Sequence, residues 1–142
     1  MRKSKESIDV YALRLLKKKN YFIKELYLKL IDRYNQEEVN KLIKKFILLE
    51  IINDKYLAEM KICYFIHIKC YGPNYILNYF KEKSISTNLV NYILKKYNEK
   101  TFLSNLDDIR NKLREKGKND YYIDNYLLRK GYTLEQIKRY VS

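Results

Sequence analysis

The sequence predicts an all-α fold made of three tandem three-helix repeats. Its 142 residues contain three glycines and one proline, and no Asn-Gly or Asp-Gly pair separates alternating apolar runs, so little material exists for β-hairpin turns. Apolar residues instead recur at spacings of three and four, which is typical of amphipathic helices. Hydrophobic residues make up 46% of the chain, enough to favour a folded core over disorder.

The apolar stripes divide the chain into nine short helices. The first stripe runs into Lys17-Lys18-Lys19, and this cationic cluster suits the last turn of a helix because the helix dipole is negative there. The eight stripes that follow open with Ile23, Val39, Tyr56, Ile76, Leu89, Phe102, Ile123 and Leu134.

These helices align as three triplets. Leu26 and Leu30 match Ile76 and Phe80 and then Ile123 and Leu127, and Val39 matches Val90 and Ile137. A period of roughly 45 residues is typical of repeat proteins, in which each unit shares its apolar face with the next. We therefore predict a single domain over 1–142, with repeats at 7–54, 55–99 and 100–142. The alternative is an ordinary nine-helix bundle in which the triplets arise by chance.

Residues before the predicted helices are good N-caps in most cases. Asn and Ser or Thr side chains accept hydrogen bonds from the first free N–H groups of a helix, which predicts caps at Asn35, Ser86, Asn119 and Thr133. Gly72 is an acceptable cap, and Pro73 then falls at the first helical position, where its missing N–H is not needed. Phe22 has no acceptor, so we expect Asn20 to cap the second helix.

The chain is strongly basic, with a formal charge of +13 and a pI of about 9.6. Such a charge favours an acidic partner, which is a nucleic acid, an anionic membrane surface or an acidic protein groove. A bias toward Lys, Asn, Ile and Tyr, as in an A/T-rich genome, accounts for part of it. Tyrosines beside lysines, as in Lys95-Lys96-Tyr97, are candidates for stacking on bases or for half-buried packing.

No chemistry of an enzyme or a metal site is expected. Cys63, His67 and Cys70 lie at i, i+4 and i+7 and are expected on one face of a helix, but a structural zinc site needs four ligands. No glycine-rich phosphate loop is present, and the adjacent Asp107 and Asp108 point in different directions on a helix. We expect no cofactor, and we expect both cysteines to pack as small apolar residues in a reducing compartment.

Neither a membrane span nor a signal peptide is expected. Charged residues interrupt every apolar run well before the roughly 18 residues that a span needs. Asp9 and Arg14 fall inside the only stretch near the start that could form the core of a signal peptide. We therefore expect a cytoplasmic protein.

Five short motifs together resemble the bacterial RecX family of recombinase regulators. They are ALRLL (12–16), KELYLKL (24–30), EEVNKLI (37–43), INDKYLAE (52–59) and YGPNYI (71–76), with LLRKGY (127–132) near the C-terminus. The family pattern has an Asp-x-(Phe/Tyr)-Ala junction and a Gly-Pro turn, and the corresponding positions here are Asp54, Tyr56, Ala58, Gly72, Pro73 and Gly131. The sequence departs from the family at Phe22, where a capping Ser is expected, and in the fourth helix, where Lys61 and Lys69 remain in place of several arginines.

The resemblance implies an elongated, curved molecule that binds the RecA recombinase and lodges in the groove of its filament on single-stranded DNA. It implies a regulator of homologous recombination, DNA repair and the SOS response that limits filament growth and strand exchange by occupancy. It is expected to be a monomer with single-stranded DNA nearby or weakly bound. Candidate contacts to the partner or to DNA are the basic residues Arg14, Lys17, Lys18, Lys61, Lys69, Arg110, Lys112, Arg114 and Lys118.

A helical DNA-binding protein of the transcription-regulator type is the alternative function. Three-helix units can place a recognition helix in the major groove, where exposed Arg, Asn or Gln side chains read base edges. The third helices offer such side chains in three groups: Gln36, Asn40 and Lys44; Asn88, Asn91 and Lys95; Gln136 and Arg139.

Overall fold

The computed structural model describes residues 6–139, and every regular element in that range is an α-helix. The nine helices are α1 (Ile8–Lys18), α2 (Ile23–Ile31), α3 (Gln36–Leu48), α4 (Asp54–His67), α5 (Pro73–Glu82), α6 (Thr87–Leu94), α7 (Glu99–Glu115), α8 (Asp120–Arg129) and α9 (Leu134–Arg139). The prediction of an all-α fold is confirmed. The two ends of the predicted domain, 1–5 and 140–142, lie outside the described residues.

The chain divides into two compact units, Met1–Leu57 and Ala58–Ser142. In the first unit α1, α2 and α3 all pack on one another. Their shared core consists of Ala12, Leu15, Leu26, Leu30, Val39, Leu42, Ile43, Phe46 and Ile52. The amphipathic spacing of these helices explains the packing, because each places one apolar stripe against the other two.

In the second unit α5 packs on α6, α7 packs on α8, and α8 packs on α9. Its buried residues include Ile62, Ile66, Ile76, Phe80, Val90, Ile93, Leu106, Ile123, Leu127, Tyr132 and Ile137. All positions that the repeat alignment matches are buried across both units. The repeat boundaries at 7–54, 55–99 and 100–142 stay a prediction.

Most helix starts have the predicted caps. The side chains of Asn35, Ser86, Asn119 and Thr133 accept hydrogen bonds from backbone N–H groups two or three residues on. Gly72 is the N-cap of α5, and Pro73 is its first helical residue, as predicted. Each of the four capping side chains satisfies a donor that the helix itself leaves without a partner.

The start of α2 is capped from a distant part of the chain, and the expected cap by Asn20 is wrong. The carboxylate of Asp54, at the start of α4, accepts from the backbone N–H of Ile23 at 2.8 Å. Glu25 completes the arrangement, because its carboxylate accepts from the N–H of Phe22 at 3.0 Å. Phe22 itself is fully buried, so the position that lacks a capping side chain contributes packing instead.

Two tight turns in the second unit meet backbone to backbone. Gly72 N–H donates to the carbonyl of Lys130, and Asn74 N–H donates to the carbonyl of Gly131, both at 2.8 Å. A Cβ added to Gly72 would overlap the carbonyl carbon of Gly131, and one added to Gly131 would overlap the backbone of Tyr75. Gly131 also has φ of +103°, a conformation that favours glycine. We call this contact the Gly72–Gly131 junction.

Side chains reinforce the Gly72–Gly131 junction on both sides. The Tyr132 hydroxyl donates to the carbonyl of Cys70 at 2.7 Å, and the Lys130 ammonium donates to the carbonyl of Lys69 at 2.9 Å. Cys70 has a positive φ of 57° and lies beyond the end of α4 at His67. The expectation that Cys63 and Cys70 share one helix face is therefore wrong, because the helix ends between them.

Replacing Asp54 tests the long-range cap. Asp54→Ala should lower the free energy of unfolding by about 1 kcal/mol, since the N–H of Ile23 loses its acceptor. Burial is the largest cause of a raised pKa for Asp54, so the charge itself is costly there. Asp54→Asn keeps an oxygen acceptor without that charge and should cost less than Asp54→Ala. Urea unfolding at neutral pH measures both, and equal losses for the two variants would contradict the capping role.

Replacing either junction glycine tests the close backbone approach. Gly72→Ala and Gly131→Ala should each lower the free energy of unfolding by more than about 2 kcal/mol, because the added Cβ overlaps backbone atoms that belong to a turn. Pro73→Ala is the matched control, and it should cost less than about 1 kcal/mol because it alters mainly the entropy of the unfolded chain. Comparable denaturation midpoints for all three variants would refute the steric argument.

Candidate interaction surfaces

The basic residues predicted on the first helix lie in the C-terminal half of α1. Lys17 and Lys18 are exposed in its last turn. Arg14 is exposed as well, but its guanidinium donates to both carboxylate oxygens of Glu6, at 2.6 and 3.1 Å. The hydrogen bond from Arg14 is the main reason why the pKa of Glu6 is lowered. Lys17 and Lys18 are thus more available to an anionic partner than Arg14.

Arg33 joins this cationic group and was missed by sequence reasoning. Its guanidinium carbon lies 4.2 Å from the ring centroid of Tyr11, and that of Arg14 lies 5.1 Å from the same ring. The spacing of Tyr11 and Arg14 on one helix is a signal for the second contact. Arg33 comes from the turn after α2, and its approach to Tyr11 depends on the packing of the unit.

The two lysines predicted around α4 have different surroundings. Lys61 is half-buried, with its ammonium 5.9 Å from the ring centroid of Tyr79. Lys69 is exposed just beyond α4, and its carbonyl accepts from Lys130. The ammonium of Lys130 also lies 4.8 Å from the ring centroid of Tyr71. Lys130 is therefore a further cation in this part of the second unit, and the sequence did not predict it.

A tyrosine cluster lies beside these lysines. Tyr71 and Tyr75 are stacked, with ring centroids 3.7 Å apart and an angle of 17° between the planes. Phe65 makes edge contacts to Tyr71, Tyr75 and Tyr79 at 4.9 to 6.0 Å. A side-chain hydrogen bond with Tyr71 is the largest cause and burial the second of a rise in the pKa of Tyr75 to about 12. Aromatic rings and lysine side chains therefore lie close together in this part of the second unit.

Arg110 is not a surface contact, and that prediction is wrong. Its side chain is 2% exposed, and it donates to the carbonyl of Ile137 in α9 at 2.9 Å. Its carboxylate neighbour Asp124 lies 4.0 Å away, and one of its terminal nitrogens is buried and has no hydrogen-bond partner among residues 6–139. Arg110 faces the interior because Leu103 and Leu106, which precede it by seven and four residues, share its side of α7. The residue joins α7 to α9.

The other basic residues of this run form an exposed cluster at the end of α7. Lys112, Arg114 and Lys118 are all exposed, and we call them the α7 basic cluster. Arg114 lies 3.5 Å from the Asp120 carboxylate, a distance at which an exposed pair contributes little to stability. Lys118 lies 4.7 Å from the ring centroid of Tyr122, and the neighbouring Tyr121 is 80% exposed. Cations and exposed aromatic rings therefore occur together in this cluster.

The third helix of the C-terminal triplet is poorly suited to reading bases. Gln136 is buried, its amide donates to Glu99 at 3.0 Å, and its oxygen accepts from the N–H of Thr133. A glutamine held in this way cannot also make the paired hydrogen bonds that recognise an adenine edge. The expectation that Gln136 is an exposed reading residue is wrong.

Cys63 and His67 lie on the exposed side of α4 and not in the core. The expectation that Cys63 packs as a buried apolar residue is therefore wrong. Between residues 6 and 139, no group of three or more His, Cys, Asp or Glu side chains is arranged to hold a metal ion. No helix in the same range is long and apolar enough to cross a membrane.

Two solved structures are similar to the chain over most of its length. The crystal structure of RecX from Lactobacillus salivarius has a TM-score of 0.77 and 25% sequence identity, and the match covers 91% of this chain and 88% of that one. The chain has the RecX fold. A second crystal structure, of regulatory protein RecX, has a TM-score of 0.80 and 17% identity, with 93% and 70% of the two chains covered. No protein-family model and no curated protein sequence matches the chain. The resemblance predicted from the motifs is confirmed.

Residues that match the RecX motifs lie at structural junctions. Asp54 caps α2, Ala58 is fully buried in α4, and Gly72 with Gly131 forms the backbone contact described above. Tyr56 participates through its backbone, because its N–H donates to the side chain of Asn53 whereas its ring is 61% exposed. These motifs therefore specify turns and helix ends.

Two tyrosines with raised pKa values, Tyr75 and Tyr132, predict a loss of stability at high pH. Burial raises the pKa of Tyr132 above its usual value of 10.0, and that of Tyr75 is raised to about 12. The folded state holds these protons more tightly than the unfolded state, so the free energy of unfolding is retained below pH 10 and falls from about pH 10 to 12. Tyr132→Phe should cost about 1 kcal/mol at pH 7 through the lost hydrogen bond to Cys70, yet show a shallower alkaline decline. Urea unfolding at pH 7, 10 and 11 measures both effects, and parallel alkaline declines would contradict the assignment.

Proposed function

We propose that this protein is a regulator that binds the RecA recombinase and its filament on single-stranded DNA, and that it mainly inhibits filament extension, ATPase activity and strand exchange. The observation that carries the proposal is the similarity to a RecX structure over 91% of this chain at 25% identity. The second similar structure is that of regulatory protein RecX, which agrees with the proposal.

The surface chemistry supports a polyanionic partner. The chain carries 30 lysines and arginines against 17 acidic residues, and the α7 basic cluster combines exposed cations with exposed tyrosines. A filament on single-stranded DNA offers phosphates together with a protein surface, so cations raise the association rate and apolar contacts supply specificity. We propose that the protein acts as a monomer, by occupancy and without covalent chemistry.

The contacts that we propose with the filament are basic residues of both units, all of them exposed except the half-buried Lys61. They are Arg14, Lys17 and Lys18 in α1, Lys61 and Lys69 around α4, and Lys112, Arg114 and Lys118 in the α7 basic cluster. Arg110 is excluded because it is buried. Free single-stranded DNA is expected to bind weakly, with a strong salt dependence and no sequence preference.

The direct test measures the ATPase activity of RecA on single-stranded DNA with and without the protein. We expect the activity to fall as the protein is added, because filament extension is blocked. An unchanged ATPase activity at a several-fold molar excess of the protein over RecA would contradict the proposal. Selective binding to one duplex sequence over random duplexes would instead support the DNA-binding alternative.

Charge removal in the α7 basic cluster tests its role in this function. The triple variant Lys112→Ala, Arg114→Ala and Lys118→Ala should bind the filament more weakly, and the slope of log Kd against log salt should fall by about 2, at about 0.7 for each phosphate contact on a single strand. Lys29→Ala with Lys41→Ala and Lys44→Ala is a matched control, since it removes the same charge from exposed lysines of α2 and α3. Equal slopes for the triple variant and the control would mean that the cluster makes no specific contact.

A further inference from the structure

The helix α4 presents an exposed apolar face, which we call the apolar α4 face. It consists of Met60, Cys63, Tyr64, His67 and Ile68. The relative exposures of Met60, Tyr64 and Ile68 are 43%, 48% and 66%, and these three residues follow one another at a spacing of four. Ile68 continues the helical turn, because its N–H donates to the carbonyl of Tyr64 at 2.9 Å. The three side chains therefore form one continuous stripe on the helix surface.

The opposite side of α4 already supplies the core. Leu57, Ala58, Ile62, Phe65 and Ile66 are all buried, so α4 does not need its second apolar side for folding of the chain. A surface helix normally places polar residues opposite its buried stripe. Five neighbouring, exposed and mostly uncharged side chains indicate a surface that a binding partner covers.

The border of the apolar α4 face argues against nucleic acid as its occupant. The ammonium of Lys96 donates a hydrogen bond to the carboxylate of Glu59 at 3.0 Å, and this bond is the main cause of the raised pKa of Lys96. The ring of His67 packs against Tyr97 at 5.8 Å between centroids. A phosphate that approached here would meet the Glu59 carboxylate and a lysine that is already paired.

The net charge of the chain argues against a second copy as the occupant. Each protomer carries +13, so self-association would bring two strongly positive surfaces together. Like charges in contact oppose association, whereas a protein of opposite charge is attracted over the whole surface. The charge of the chain therefore favours an acidic protein that presents an apolar helix or groove of its own.

We infer that the apolar α4 face docks an apolar segment of the recombinase flanked by acidic groups, and that this contact is separate from the contacts of the α7 basic cluster. This inference rests on the proposed function, since the recombinase is the partner it names. Tyr64 and Ile68 supply the central contact, because an aromatic ring with a polar tip beside an aliphatic residue is a common arrangement at the centre of protein interfaces. The basic residues then accelerate association, while the apolar α4 face slows dissociation.

The test compares binding of the full chain to RecA filaments on labelled oligodeoxythymidine over a range of salt concentrations. The double variant Tyr64→Ser with Ile68→Ser should raise the Kd at least about tenfold at every salt concentration, with the salt slope unchanged. The control Leu128→Ser with Leu134→Ser alters two exposed leucines elsewhere in the second unit and should stay within about twofold of wild type. Circular dichroism and urea unfolding verify that each variant is folded, and Met60→Ser is the second variant to use if the double variant is not.

The possible outcomes separate the inference from the proposed function. If the wild-type chain does not bind the filament at all, the proposed function is wrong, and this inference with it. If the wild type binds and the double variant binds equally well, the inference alone is overturned. It is also overturned if the double variant loses binding to free oligodeoxythymidine to the same extent, or if sedimentation shows a wild-type dimer that the double variant disrupts.

Discussion

The second unit depends on the close approach of two turns, at Gly72 and Gly131, which leaves no room for a Cβ atom on either residue. Gly72 and Gly131 meet through backbone hydrogen bonds, and Pro73 stands between the two donating N–H groups without needing a partner for itself. This contact fixes the first turn of α5 against the turn that leads from α8 into α9. The neighbouring Tyr132 and Lys130 side chains reach back to the chain just after α4. The segments between α4 and α5 and between α8 and α9 thus form one hydrogen-bonded group, and the tyrosine cluster is positioned by it.

Some of the cationic side chains make contacts within the protein, and others are exposed and available to a partner. Arg110 is buried and joins two helices, Arg14 is held by Glu6, and Lys45 is paired with Asp9 at 2.7 Å. Several other cations lie over tyrosine rings, where a cation and an aromatic face attract each other. The number of lysines and arginines in the sequence therefore overstates the number of cations that are free to contact a partner. The exposed cations of α1 and α7 remain the part that is available for binding.

The sequence was sufficient to predict the helices and the residues at which most of them begin. Apolar spacing identified all nine helices within the described range, and capping side chains such as Asn35 and Asn119 identified where several of them begin. These features are local, since a cap and its donors lie within three residues of each other. The prediction failed where the partner is remote. Asp54 caps a helix that begins thirty-one residues earlier, and no pattern near Phe22 signals it.

The candidate site was less predictable than the fold for a related reason. A basic run gives the number of cations but not the side of the helix on which each one lies, so Arg110 was grouped with residues that face solvent. The burial of Leu103 and Leu106 would have revealed the error, but burial depends on tertiary packing. The exposed side of α4 could not be predicted for the same reason. A helix with apolar residues on all sides is expected to be buried on all sides, and only the structure shows which of its faces is exposed.

The stacked pair Tyr71 and Tyr75 gives the molecule a built-in optical reporter. The chain has no tryptophan, so its near-ultraviolet circular dichroism comes chiefly from tyrosine. Two phenol rings stacked at 3.7 Å are close enough for their electronic transitions to couple, so their contribution changes when the rings separate. Because Tyr75 packs on the backbone of Gly131, the pair senses whether the two turns are together. The native, unlabelled protein can therefore report on opening of this contact in solution.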